Sequence, residues 1–231
     1  MKVLVIIPAY NEQENIKRVV DNLIQNYPQF SYIVVNDGSK DNTAKICKEN
    51  GYHLLNHSTN LGLAGSFQTG MKYALEHGFD YAIQFDADGQ HRAEYIQSVL
   101  EACQQGQDIV IGSRFLEKKK PFSLRMMGST LITGAIRLTT GKTIKDPTSG
   151  MRMYNRRMIE MFANHTNLSP EPDSIAYMIK SKAKISEVQV EMDERIAGVS
   201  YLNFSRSMFY MLRMTISILF IQVFRKPITI R

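Results

Sequence analysis

Cysteine is nearly absent from this chain of 231 residues: Cys47 and Cys103 stand alone, with no C-x-x-C pair and no histidine at zinc spacing. That excludes a disulfide scaffold and a structural zinc site, and it reads as a reduced, cytosolic protein. Internal repeats and low-complexity tracts are also missing. With 44% hydrophobic and 22% charged residues, the composition excludes disorder and is enough for one substantial core. No long apolar run opens the chain, because residues 3–7 meet Pro8 at once, which suits a first β-strand and not a secretion signal. The sequons at Asn56, Asn164 and Asn203 then carry no weight. Residues 208–224 are apolar but fall short of the roughly 20 residues a membrane span takes, and Arg213 interrupts them. Acidic residues do not balance the basic ones. The net charge of +6 implies an anionic partner, whether nucleotide, nucleic acid or lipid headgroup.

What is present is an alternation. Strands are expected at residues 3–7, 32–35, 52–55, 81–85 and 109–111, and helices at 12–25, 43–49, 63–76 and 93–104. This order predicts an α/β fold with a mainly parallel sheet flanked by helices, whose ligands bind at the C-terminal strand ends. Those ends are polar: Tyr10, Asn11 and Glu12; Asn36 and Asp37; Asp86 and Asp88; Ser113 and Arg114. Beyond Phe115 the character changes to a basic run at 118–120, then an apolar, Met-rich segment at 121–140 that carries Arg125 and Arg137. KDPTSGMRMY, residues 145–154, has the Pro and Gly signals of a turn beside the sheet. Near the end, Arg206, Arg213 and Ser217 share a helical face. That predicts an amphipathic helix in a membrane interface, or one packed on the protein's own core or on another subunit.

The most informative stretch is AIQFDADGQH, residues 82–91. Asp86 and Asp88 fall at a strand's C-terminal mouth, where extended backbone projects residues i and i+2 to one side. Two converging carboxylates repel unless a cation lies between them. A hard divalent ion that also holds a phosphorylated substrate would serve. The same D-x-D also arises in a solvated turn. Asp41 is expected to cap the helix at 43–49.

Taken together, PAYNE (8–12), VVNDGSKDNT (34–43), NLGLAGSFQTG (60–70), DADGQH (86–91), GSRF (112–115) and ERIAGVS (194–200) resemble a family-two glycosyltransferase of GT-A fold. Within that family the chain is similar to the polyprenyl-phosphate sugar synthases, of the dolichyl-phosphate mannose synthase type, over about its first 200 residues. The resemblance implies a catalytic domain at 1–204, with a nucleotide-sugar half to about residue 115 and an acceptor half beyond it. Residues 205–231 would then form a membrane-interface or oligomerisation helix.

Pro8 is expected to end the first strand, leaving Tyr10 and Glu12 to contact the nucleotide; Glu12 could instead be a first-turn helix charge. Asp37 can accept from a base or ribose, and in the family it contacts the nucleoside. Asp86 and Asp88 match the family's metal aspartates, with Gln90 near the same ion, Mg²⁺ or Mn²⁺. Arg195 matches an arginine that reaches the diphosphate, or it forms a surface ion pair with Glu194. Arg114, Arg125 and Ser129 match the groups that hold a lipid phosphate. A phosphate acceptor is already ionised and needs no general base, whereas a sugar hydroxyl does. Glu171 or Asp173, where the chain departs from the family pattern, could supply that base. The implied reaction is inverting transfer of a hexose, glucose from UDP-glucose by preference, to undecaprenyl phosphate for cell-envelope glycans. GDP-mannose-dependent transfer and transfer to a glycan hydroxyl are the alternatives. The enzyme would be peripheral on the cytoplasmic membrane face, retained with help from a homo-oligomer or small membrane-protein partner, and would bind no nucleic acid.

Overall fold

The computed structural model describes residues 1–194 and 204–228. Seven strands form one sheet: β1 (Val3–Ala9), β2 (Ser31–Asn36), β3 (Leu54–Asn56), β4 (Tyr81–Gln84), β5 (Ile109–Ser113), β6 (Arg152–Asn155) and β7 (Ile185–Gln189). Their spatial order is β3-β2-β1-β4-β6-β5-β7, parallel throughout except for β6, which runs antiparallel between β4 and β5. Helices α1 (Ile16–Asn26), α2 (Thr43–Glu49) and α4 (Tyr95–Gln104) cover one face. The other carries α3 (Gly62–Glu76), α5 (Leu124–Thr140), α6 (Arg156–Asn164) and α7 (Pro172–Lys180). Both faces being covered explains why β1 is apolar at successive positions: Leu4 and Ile6 enter one core, Val3, Val5 and Ile7 the other. Cys47 and Cys103 are buried, and burial pushes their thiols up to about 11 and about 12, so both are inert at neutral pH.

Three sequence expectations are corrected. Pro8 does not end β1, which pairs Pro8 with Val35 and Ala9 with Asn36. The carbonyl of Ile6 accepts from Phe85 and that of Ala9 from Asp37. Alternation therefore puts the donor that proline lacks on the β4 side, beyond Gln84, the last residue of β4. Helix α1 starts at Ile16 instead of 12, because Asn11 takes a positive φ of 56° and Glu12 turns the chain, its carbonyl accepting from the amides of Asn15 and Ile16. Finally, residues 152–155, read as part of a turn, form β6.

The C-terminal helix α8 (Phe204–Ile216) runs on through a π-helical turn, Ser217–Ile221, into Gln222–Phe224. Met211, Met214 and Ile218 are buried in the core shared with α5 and α7. Its polar groups also turn inward: Ser217 Oγ donates to Asp173 at 2.8 Å and Gln222 Nε2 to the same oxygen at 3.3 Å. Lys180 Nζ closes the helix end on the carbonyls of Gln222, Val223 and Arg225. Ser217 is thus not on a solvent face; the outward face is mainly apolar, with Phe209 70% and Phe224 83% exposed, and it carries exposed Arg213. By length and composition alone, Ser207–Phe224 suffices to cross a membrane, with a mean hydropathy of 1.5.

Candidate active site

Parallel strands β1, β2, β4 and β5 end on one edge, and their loops bring the polar strand-end residues together. Strand β4 stops at Gln84; Asp86 follows two residues later, and Asp88 sits in the turn at 87–88. The turn has its own fastenings. The amide of Asp86 donates to Nδ1 of buried His91 at 2.9 Å, and Asp88 Oδ1 accepts from the amide of Gln90 at 3.0 Å, while Gly89 takes a φ of +77°. Because Nδ1 accepts, the imidazole proton lies on Nε2, 3.6 Å from Asp86 Oδ2. Asp86 Oδ1 accepts from Gln84 Nε2 at 3.0 Å. Asp86 is the more accessible of the two carboxylates; Asp88 is buried.

Gln90 Nε2 donates to the carbonyl of Asp193 at 3.3 Å, and its amide oxygen would add a third oxygen donor to the two carboxylates. Among the described residues no group of three His, Cys, Asp or Glu gathers anywhere. An all-oxygen donor set this small fits a hard divalent ion that takes the rest of its shell from substrate and water. Arg92 pairs with Asp193 at 2.7 Å and Glu191 at 3.2 Å, tying the segment that leads to Arg195 against the acidic turn. Arg195 itself lies outside the described residues.

The neighbouring loops interlock. The amide of Glu12 donates to Thr43 Oγ1, that of Asn11 to Ser39 Oγ, and that of Gln13 to Asp41. Asp41 also accepts from the amide of Thr43 at 2.9 Å, but from one residue ahead of Asn42, which holds the N-cap position in place of the expected Asp41. Glu12 accepts from Asn15 Nδ2, and Tyr10 and Pro8 are half-buried beside it. Asp37 is buried with its carboxylate occupied by the amides of Leu61 and Gly62, each at 2.8 Å, and by His57 Nδ1. It therefore anchors the start of α3 to the end of β2.

On the acceptor side, Arg114 donates through Nε and Nη2 to both oxygens of fully buried Asp146, at 2.7 and 2.9 Å. The bidentate pair leaves Nη1 to reach outward. Asp146 begins a loop, residues 146–150, whose other end meets the acidic turn: a side chain at Gly150 would lie 2.7 Å from Asp86 Oδ2. Four residues separate these contacts, a reach of at most about 14 Å. Arg152, 1% exposed, fastens the loop by donating to the carbonyls of Pro147, Ser149, Pro170 and Glu171. Asp146, Arg152 and His91 hold these loops in place, and the sequence reading left them without a role. The Pro and Gly of KDPTSG signalled a turn, and nothing local told that its charges would be buried.

Ser129 is buried on α5, 3.0 Å from Lys120 Nζ. Arg125 stands one turn earlier on the same helix, and its side chain lies outside the described residues. Asp173 is committed to Ser217 and Gln222, as above. Among the described residues Glu171 accepts only from Ser169 Oγ, at 3.2 Å, and burial, with the Asp173 charge behind it, pushes its carboxyl above the usual range.

The Glycosyl transferase family 2 model matches residues 4–162 of this sequence. The chain belongs to that family. Two relatives of this family 2 chain are each 34% identical to it. One is an undecaprenyl-phosphate mannosyltransferase of Micrococcus luteus, matched over 88% of either chain. The other is a UDP-N-acetylglucosamine–dolichyl-phosphate N-acetylglucosaminyltransferase of Methanococcus voltae, matched over 82% of this chain and 84% of the relative. Among solved structures, glucosyl-3-phosphoglycerate synthase of Mycobacterium tuberculosis with Mn²⁺ and UDP-glucose superposes with a TM-score of 0.65. That match covers 96% of this chain and 79% of the other at 16% identity, a likeness of fold alone. The fold is GT-A-like, as the motifs implied.

Proposed function

We propose that this glycosyltransferase moves a hexose, glucose from UDP-glucose as first choice, onto undecaprenyl phosphate with inversion at the anomeric carbon, working at the cytoplasmic face of the membrane. The observation that carries this reading is the 146–150 loop, which ties Arg114 on the acceptor side to Asp86 on the donor side within a few residues. A phosphate oxygen of the acceptor attacks the anomeric carbon, the bond from that carbon to the diphosphate oxygen breaks, and the nucleoside diphosphate leaves. Mg²⁺ or Mn²⁺ held by Asp86, Asp88 and Gln90 would supply Lewis-acid neutralisation of that leaving group. Pro8, Tyr10, Glu12 and the Asp37 loop would line the nucleotide, Arg195 would reach the diphosphate, and Arg114, Arg125 and Ser129 would face the acceptor phosphate. Polyprenyl and dolichyl phosphates in the relatives' names support the acceptor class. The outward apolar stripe of α5, with Leu131 64% and Leu138 80% exposed, continues the outer face of α8 and would rest on lipid.

The test is to incubate the purified protein with Mg²⁺ or Mn²⁺, undecaprenyl phosphate, and UDP-glucose, GDP-mannose or UDP-N-acetylglucosamine in turn. Lipid-linked sugar is expected, and the productive nucleotide identifies the donor. Sugar appearing only on glycan hydroxyls would overturn the reading. That second reading, a hydroxyl acceptor, is favoured by Glu171 alone, whose raised carboxyl stands beside the loop that Arg152 holds.

A further inference from the structure

Building on the reading of an anionic acceptor, we propose that Lys120 is the cation that receives the acceptor's phosphate monoester, with Ser129 and Thr133 completing the seat. Neither the motifs nor the family resemblance assigns Lys120 a role. Its Nζ lies 3.0 Å from Ser129 Oγ and 3.4 Å from Thr133 Oγ1, both neutral hydroxyls. Two of the cations around it are paired with carboxylates, Arg114 with Asp146 and Lys118 with Glu191. Among the described residues Lys120 has no carboxylate within 4.0 Å. The half-buried ammonium touches two hydroxyls and no carboxylate directly, Asp146 and Glu187 acting on it only at longer range, and burial lowers its pKa. A phosphate would supply a counter-charge and accept from the ammonium and from the Ser129 hydroxyl, while the Thr133 hydroxyl donates to the carbonyl of Ser129 at 3.1 Å.

The surroundings fit that ligand. Lys120 Nζ and Arg114 Cζ lie 5.6 and 5.1 Å from the centroid of the same Phe115 ring, so both cations stand against one aromatic side chain. A cavity of about 390 Å³ opens beside Lys120, lined by the 115–120 segment, Glu117 included, and by Thr130, Thr133 and Lys145. Leu124, Met127 and Leu131, exposed on α5 beside it, offer an apolar path for a tail attached to the phosphate. The same seat would take a soluble phosphate ester, and the experiment separates the two.

Wild-type protein, Lys120→Met and Lys120→Arg are compared in two assays. In the first, Lys120→Met is expected to raise the KM for undecaprenyl phosphate by about tenfold or more, the usual effect of losing a charged hydrogen bond, and to leave the nucleotide-sugar KM unchanged. Lys120→Arg retains most acceptor affinity. In the second, a short isoprenyl monophosphate, the matching alcohol and inorganic phosphate are titrated into each protein without donor. Binding of the monophosphate by the wild type and its loss in Lys120→Met supports the seat. Stronger binding of the isoprenyl ester than of inorganic phosphate points to the lipid source, equal binding to a soluble one. Equal affinities of wild type and Lys120→Met for the monophosphate would overturn the proposal. If the wild type transfers no sugar to any polyprenyl phosphate, it is the functional reading that fails, and the titration still decides the seat.

Discussion

Along the sheet edge, carboxylates stand in loops held by backbone amides, as the amide of Gln90 holds buried Asp88, and Asp86 beside it is partly open to solvent. In the helical layer of α5, α7 and α8 the arrangement is reversed. There Ser217, Gln222, Asp173 and Lys180 bond to one another or to carbonyls inside, while Phe209, Leu131 and Leu138 face out. The first region suits a charged, water-borne ligand, and the second suits an apolar phase with polar groups kept at its border. The 146–150 loop is where the two meet. A transferase that must take a nucleotide sugar from water and a phosphate from a lipid needs both kinds of surface, close together.

The sharpest way to break this comparison is at the acidic turn. Asp88→Ala should lower kcat/KM by about a thousandfold, the scale of losing several kcal/mol of leaving-group stabilisation. Circular dichroism should be unchanged, since Asp88 closes a turn and not a core. Undiminished turnover would remove the charged ligand from the sheet edge. Arg152→Met strikes the joint. Four backbone carbonyls lose their donor in a closed interior, and denaturant titration should show a loss of about 3–5 kcal/mol. A loss below about 1 kcal/mol, the worth of an ordinary hydrogen bond, would mean the two regions are joined elsewhere.

These two residues also mark how far the sequence could be read. Asp88 was legible because β4 is a short apolar run punctuated by Gly89, and its neighbours in the motif are local. The parallel α/β order was legible for the same reason: each strand and helix carries its own period. Arg152 was not, because its worth lies in carbonyls at Pro147 and Pro170 that the antiparallel β6 brings together, and no period announces an antiparallel insertion. Asp37 shows a third case. Its position after β2 was readable, but the amides of Leu61 and Gly62 that occupy it come from another loop. Inward polar groups on α8 were hidden likewise, since a helical wheel shows which residues share a face and not which side that face meets.

A smaller effect sharpens the helical side. Replacing Phe209 and Phe224 with Ser removes two outward rings, each worth about 1.5–3 kcal/mol when buried in lipid. Flotation with anionic vesicles should show a fall in bound protein of about a hundredfold or more. Thermal stability should hold, because neither ring enters the core. Retained vesicle binding would assign the stripe to another protein surface instead of lipid.

Glu171→Gln is expected to change least and to discriminate most. Burial raises the Glu171 carboxyl, so the folded state holds its proton more tightly than the unfolded chain does. The stabilisation it gives is therefore complete below the ordinary glutamate range and is lost as pH rises through the elevated value. A neutral glutamine escapes that loss. The melting temperature of Glu171→Gln should exceed that of the wild type at pH 8 and match it near pH 4, with about 2–4 °C per kcal/mol recovered. Turnover with undecaprenyl phosphate should survive, since an ionised phosphate needs no proton removed. A drop of about a hundredfold or more, the usual weight of a general base, would instead make the acceptor a hydroxyl. The polar groups at the border would then activate a nucleophile, and would not merely position a phosphate that arrives already charged.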